Sequence, residues 1–205
     1  MADYTVRLAT AADAAAISEI YNQGIEDRIA TLETETRTTE ERRRWLAARN
    51  PRHPVIVAEA TEPETASGGP PTPRAGRAAP ATAEPARSSG GPPTPRAGHA
   101  APATIIGWGS LNAFNPRESY RFVADFSVYV ERAWRGKGVG TVLLARLIEL
   151  AREHGYHKMV LSGFPFNARG VALYEKMGFR TVGVYEEQGL LDGRWVDTII
   201  MEKLL

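Results

Sequence analysis

The sequence predicts a mixed α/β domain built around one sheet, and three observations carry that expectation. Strand-like and helix-like segments alternate unevenly, with hairpins at both ends, unlike the regular strand–helix repeat of a doubly wound sheet. One strand, glycine-rich turn and amphipathic helix run without a break through 127–150 (SVYVERAWRGKGVGTVLLARLIEL). A long stretch, 61–103, holds no large apolar residue and separates two apolar strands that would otherwise adjoin.

Residues 4–8 alternate as a short strand. Thr10 and Asp13 have the spacing of a capping box, and Ile17, Ile20, Tyr21 and Gly24 then recur along one face of a helix. Thr38 and Glu41 form a second capping box, opening a helix with Trp45 and Leu46 that stops near Asn50 and Pro51. Arg42, Arg43 and Arg44 on that helix read as a solvated face. The connection between the helices is rich in polar groups, as loops over ligands often are.

Residues 54–60 (PVIVAEA) and 104–111 (TIIGWGSL) read as buried strands that pair as one hairpin. Its turn has been expanded by 61–103, where SGGPPTPRAGRAAPAT at 67–82 recurs at 89–104 with Arg77 replaced by His99. Such a duplication cannot bury a core and is expected to be disordered or locally polyproline II. Loop closure costs grow only logarithmically with length, so the domain keeps its fold around the insertion. The chain is therefore one domain, 1–205, with an inserted loop at 61–103. The PPTPR segments have the form of ligands for a proline-binding partner, but a tolerated insertion accounts for them.

After a turn at 115–119, residues 120–130 read as a long central strand whose alternation breaks around Asp125, Phe126 and Ser127. A helix over 139–154 places Leu143, Leu144, Leu147, Ile148 and Ala151 on one face, and Gly155 ends it. A strand at 158–161, a short helix at 168–177 closed by Gly178, and strands at 179–184 and 195–205 complete the chain.

Composition narrows the function. With 25 Lys and Arg against 24 Asp and Glu, no electrostatic case exists for nucleic acid or an anionic membrane. The absence of cysteine excludes disulfides, thiolate metal sites and a cysteine nucleophile. No histidine has metal-ligand spacing with acids, so no metal is expected. The first residues lack the apolar core of a signal peptide, and no apolar run reaches the roughly 20 residues that span a bilayer. A cytoplasmic protein is expected.

The turn Arg135, Gly136, Lys137, Gly138, Val139, Gly140 follows a strand and opens a helix. Glycines there let backbone N–H groups approach a ligand, and the helix N-terminus adds its unpaired donors and positive dipole end. Arg135 and Lys137 add charge, so the turn suits a pyrophosphate. The dinucleotide fingerprint G-x-G-x-x-G is not met, nor is the Gly-Lys-Ser/Thr ending of a P-loop. The pattern present is R-x-x-G-x-G, at Arg135, Gly138 and Gly140, after Val128, Tyr129 and Val130.

That pattern resembles the acetyl-CoA loop of the GCN5-related N-acetyltransferases (GNAT). The segment 167–179, NARGVALYEKMGF, is similar to their N-x-x-S-x-x-L-Y-x-x-x-G-F, with Gly170 where the family has Ser. YNQGIEDRIATLET, SYRFVADFSVYV and GVYEEQGLLDGRWVDTIIMEKLL resemble the phosphinothricin and arsinothricin N-acetyltransferases, so the likeness covers nearly all of the chain outside 61–103. The resemblance implies the GNAT fold, a mostly antiparallel central sheet flanked by helices. It implies acetyl-CoA as co-substrate, held by Val128, Tyr129, Val130, Arg135, Gly136, Lys137, Gly138, Val139, Gly140, Thr141 and Asn167. It implies Tyr174 as the acid that protonates the departing thiolate, and a homodimer with substrate pockets near its interface.

Acetyl transfer needs a deprotonated amine, so a base is required at neutral pH. Asp125, an acid set mid-strand among apolar neighbours, is the candidate, with Glu118 and Glu33 as weaker options. Backbone N–H groups around Val128 to Val130 suit the polarisation of the thioester carbonyl. By resemblance Arg117 holds the anionic group of a glutamate-like substrate, with Glu33 and Tyr120 beside it. A second Arg of some members is Asn115 here, and the usual aromatic is Leu32. The expected reaction is acetylation of the α-amino group of phosphinothricin or arsinothricin. Other amines (methionine sulfone or sulfoximine, a peptide N-terminus, a polyamine) and a non-catalytic acyl-CoA sensor remain alternatives.

Overall fold

The computed structural model describes residues 4–60 and 103–205. The loop expected at 61–103 therefore lies, but for Ala103, outside the described residues. Seven strands form one sheet: β1 (Tyr4–Leu8), β2 (Val55–Ala60), β3 (Thr104–Ala113), β4 (Val123–Val130), β5 (Lys158–Gly163), β6 (Arg180–Leu191) and β7 (Arg194–Leu204). Their spatial order is β1-β2-β3-β4-β5-β7-β6, and among the described residues only β4 and β5 run parallel. The helices are α1 (Ala14–Glu26), α2 (Thr39–Ala47), α3 (Val139–Glu153) and α4 (Ala168–Lys176).

The sheet separates two apolar layers. On one face, α3 buries Leu143, Leu144, Leu147 and Ala151 against Ile56, Ile106, Leu111, Phe126 and Met159. Each such leucine contributes about 1.5–3 kcal/mol when fully buried. On the other face, α1 buries Ile17, Ile20 and Ile25 against Val55, Val57 and Trp108. The run Gly107, Trp108, Gly109 serves both layers, because neighbouring strand residues face opposite ways. Trp108 points at α1, while a Cβ on Gly107 or Gly109 would meet Leu143 at 3.0 Å or Leu147 at 2.9 Å. Missing side chains let α3 lie close to the sheet.

Three expectations need correction. Residues 120–122 are not strand: Tyr120 N donates to Arg117 O and Arg121 N to Glu118 O, so this segment is a 3-10 turn and β4 starts at Val123. The penultimate strand runs on to Leu191, because pairing with β7 resumes at Gly189 past an irregularity that sets Glu187 at φ +50°. Asp192 and Gly193, both at positive φ, close that hairpin in the manner of the favoured two-residue turn. The arginine run on α2 is split: Arg43 and Arg44 are exposed, but Arg42 is buried over Tyr21, Trp45 and Trp108.

Candidate active site

The site begins where β4 and β5 part. Their parallel pairing covers Val123 to Asp125 against Lys158 to Val160 and ends there. Beyond that point the strands diverge and leave a wedge filled by neither. A cavity of about 90 Å³ occupies it, lined by Phe126 to Tyr129, by Leu161 to Phe164, and by Asn167 and Tyr174. A groove of about 730 Å³ adjoins it, sharing Val128, Tyr129, Asn167 and Tyr174, and runs between the start of α3 and α4.

Of the residues expected to hold the co-substrate, Val128, Tyr129, Val130, Arg135, Gly136, Gly138, Gly140, Thr141 and Asn167 all line this groove. Gly138 is the N-cap of α3 at φ +94°, a conformation that only glycine adopts without strain. Val139 is buried in the core, and the Lys137 ammonium lies 4.9 Å from the Trp134 ring centroid. Arg135 is less free than its sequence suggests. Its Nη1 is 2.5 Å from Asp27 Oδ2, and its Nε donates to Val130 O at 3.1 Å. Asn167 caps α4 by accepting from Gly170 N, while its Nδ2 donates to Ile29 O and ties the α1–α2 connection to the groove.

Strand alternation puts Asp125, Ser127 and Tyr129 on one face of β4 and Phe126, Val128 and Val130 on the other. Asp125 is flanked by buried Ala124 and Phe126. Burial pushes its carboxyl up to about 6, although hydrogen bonds from Asn112 and the Phe126 backbone favour the ionised form. Tyr174 packs edge-on against Phe126, with centroids 5.8 Å apart. Burial, and then the charge of Asp125, push its hydroxyl up to about 12. The expected base and the expected acid thus lie within electrostatic reach of each other.

Of the expected substrate residues, Arg117 and Tyr120 line neither the cavity nor the groove, while the charge of Glu33 reaches Tyr129 in the cavity wall. Arg117 is exposed in the β3–β4 connection, and its guanidinium forms no hydrogen bond or ion pair among the described residues. Tyr120 is also exposed there and packs on Phe114. Glu33 sits in the α1–α2 connection, bonded to Arg37 at 2.8 Å; burial first, and then the Glu33 charge, push the Tyr21 hydroxyl up. Glu118 is exposed and paired with Arg121. Sequence reading missed Asn112, because it ended that strand at Leu111. Asn112 faces Asp125 in register, and an amide directly across from a lone strand acid was the available signal. Among the described residues no group of His, Cys, Asp or Glu could hold a metal, and no helix is long and apolar enough to cross a membrane.

A split between parallel strands, a glycine turn opening a helix, and a half-buried acid near a half-buried phenol are features that suit acyl transfer. Residues 84–179 match the acetyltransferase (GNAT) family. The chain is 29% identical over 199 residues to an L-methionine sulfoximine/L-methionine sulfone acetyltransferase of Salmonella typhimurium, covering 97% of this chain and 92% of that one. A ribosomal-protein-alanine N-acetyltransferase of Brucella melitensis is 30% identical, with TM-score 0.73 and coverage of 98% and 99%. A GNAT phosphinothricin acetyltransferase of Sinorhizobium meliloti, solved in complex with AcCoA, is 26% identical with TM-score 0.73 and coverage of 98% and 88%. The chain belongs to the GNAT family and is an N-acetyltransferase.

Proposed function

We propose that the chain is a cytoplasmic, homodimeric enzyme that uses acetyl-CoA to acetylate the α-amino group of a glutamate-like amino acid with a tetrahedral anionic tail. Phosphinothricin and arsinothricin are the model substrates, and the biological outcome is resistance to them. The observation that carries this reading is Tyr174 lining the cavity where the glycine-turn groove ends, with Asp125 near enough for its charge to raise the phenol. The S. meliloti relative, named for phosphinothricin and solved with AcCoA, supports the same choice.

In this mechanism the pyrophosphate lies on the backbone N–H groups of 136–141. The thioester supplies an activated acetyl group, and N–H groups on the edge of β4 that β5 leaves unpaired polarise its carbonyl. Asp125 takes the proton of the substrate ammonium through a water at the Ser127 wall, since Ser127 lines the cavity and Asp125 sits one step behind it. Tyr174 donates its proton to the leaving thiolate. The two steps assist each other. Once Asp125 is protonated it no longer carries the charge that raises Tyr174, so the phenol becomes a better acid as it is needed.

A second reading takes methionine sulfone or sulfoximine as the amine. Arg117 stands exposed away from the cavity and Asn115 replaces a second cation, which suits an uncharged tail, and the S. typhimurium relative carries that name. CoA release would be measured with phosphinothricin, arsinothricin, methionine sulfone, glutamate, spermidine and a short peptide. Selective turnover of phosphinothricin over glutamate supports the first reading, and turnover of the sulfone alone supports the second. Acetyl-CoA binding without turnover of any amine would leave a sensor.

A further inference from the structure

One polar cluster beneath the site takes no part in the chemistry above: Arg49, Ser110 and Asn112. Arg49 follows α2, and its Nη1 and Nη2 both donate to Asn112 Oδ1 at 3.2 Å. Its Nη2 also reaches Leu111 O, and its Nε donates to His53 O at 2.8 Å. The guanidinium is further fixed 4.8 Å from the Trp45 ring centroid. Ser110 Oγ donates to the same amide oxygen at 3.1 Å. No carboxylate is bonded to Arg49 among the described residues, so backbone carbonyls and the Asn112 oxygen compensate its charge.

That arrangement removes an ambiguity. A guanidinium has five donors and no acceptor, so the atom of the Asn112 amide facing it must be oxygen. The NH2 group is therefore turned toward β4. There it lies 3.3 Å from Ser127 Oγ and 3.5 Å from Asp125 Oδ2, shared between the two. Ser110 could not impose this alone, because a hydroxyl both donates and accepts and would tolerate a flipped amide.

We infer that Asn112, with its amide locked by Arg49, is the positioning residue for Asp125, aiming the carboxylate along the β4 face toward Ser127 and the cavity. The inference rests on Asp125 being the base. The contact at 3.5 Å is long, as catalytic hydrogen bonds often are before substrate binds. A neutral donor stabilises the carboxylate over the acid, so Asn112 also restrains the upward push of burial. Among the described residues, the other charged or titratable groups around Asp125 include Tyr129, further along the same face of β4. Tyr174 comes from α4, Arg49 from behind Asn112, and Lys158 from β5, already bonded to Glu202 of β7. Arg117 and Glu118 lie outward in the β3–β4 connection.

The test is the pH dependence of kcat/KM for CoA release by the full chain, with Asn112→Leu, Arg49→Lys and Asp125→Asn. Leu matches Asn in size and keeps water out while removing the donor. Asn112→Leu should move the acid limb upward by about one pH unit, lowering the rate about tenfold on that side, with acetyl-CoA affinity unchanged. Arg49→Lys keeps the charge but loses the fork, and should move the limb the same way. A uniform loss at every pH, or a limb left in place in both variants, overturns the positioning role. Asp125→Asn separates the two claims. If it abolishes the limb while Asn112→Leu leaves the wild-type limb unmoved, the base stands and the inference falls. If the limb survives Asp125→Asn, the base assignment itself falls and takes the inference with it.

Discussion

The guanidinium carbon of Arg42 lies 3.9 Å from the ring centroid of Tyr21, and no carboxylate among the described residues is bonded to it. Trp45 and Trp108 flank the same group at 5.2 and 5.7 Å, and Nε is buried without a hydrogen-bond partner. Aromatic faces are thus the main compensation for this charge, and they join α2 to α1 and β3.

A buried cation held this way contributes through packing more than through charge. Arg42→Met should stay within about 1 kcal/mol of wild type in urea unfolding, because an unbranched apolar chain fills the slot without desolvation cost. Arg42→Ala should lose about 2–4 kcal/mol, as for other large-to-small core changes. Equal losses in both variants would show that the charge itself is required.

Arg42 also shows why some features are legible in sequence and others are not. Periodicity identified the buried faces of α1 and α3 directly, since each repeats an apolar residue every turn. The groove was legible because its chemistry is local: strand, glycines and helix start follow one another within a few residues. Arg42 was not, because three consecutive arginines look alike until a helix turns one of them inward. Asn112 was not, because its role depends on a partner 13 positions away and on Arg49 from a third segment. The Arg135–Asp27 pair is likewise a tertiary fact. Residues whose role is set by their own neighbours in sequence could be read, and those set by the fold could not.

Gly138 tests the backbone part of the groove alone. A Cβ there meets nothing within 4 Å, yet φ is +94°. Gly138→Ala should therefore cost about 1–2 kcal/mol through conformation. By disturbing the first N–H groups of α3 it should weaken acetyl-CoA binding in titration calorimetry. Amine affinity measured with a non-reactive CoA analogue present at saturation should be little changed.

Tyr174→Phe keeps the ring against Phe126 and removes only the hydroxyl. A drop in kcat of about 10²-fold with similar KM values is expected for loss of a general acid. In Asp125→Asn, the phenol should titrate below its wild-type value of about 12, because the charge that helps raise it is gone. Ultraviolet difference titration would follow the phenolate. An unchanged titration would mean that the two groups do not sense each other.

Asp125 should act on stability in the opposite direction to its role in catalysis. Its folded value of about 6 lies above the ordinary value of 3.8, so between these pH values the folded chain binds more protons than the unfolded one. Stability contributed by this group is therefore full below about pH 4 and is lost as pH rises through about 6. At pH 7 the ionised, half-buried carboxylate costs about 2–3 kcal/mol at most, from 1.36 kcal/mol per unit. Asp125→Asn keeps the shape and removes that cost. It should unfold at higher urea than wild type at pH 7, match or fall below it at pH 4, and be nearly inactive at both. A site kept at the expense of stability is what a functional acid in an apolar strand leads one to expect. Unfolding curves at the two pH values decide the matter: a variant no more stable than wild type at pH 7 would mean that Asp125 is adequately solvated, and its acidity would then be ordinary.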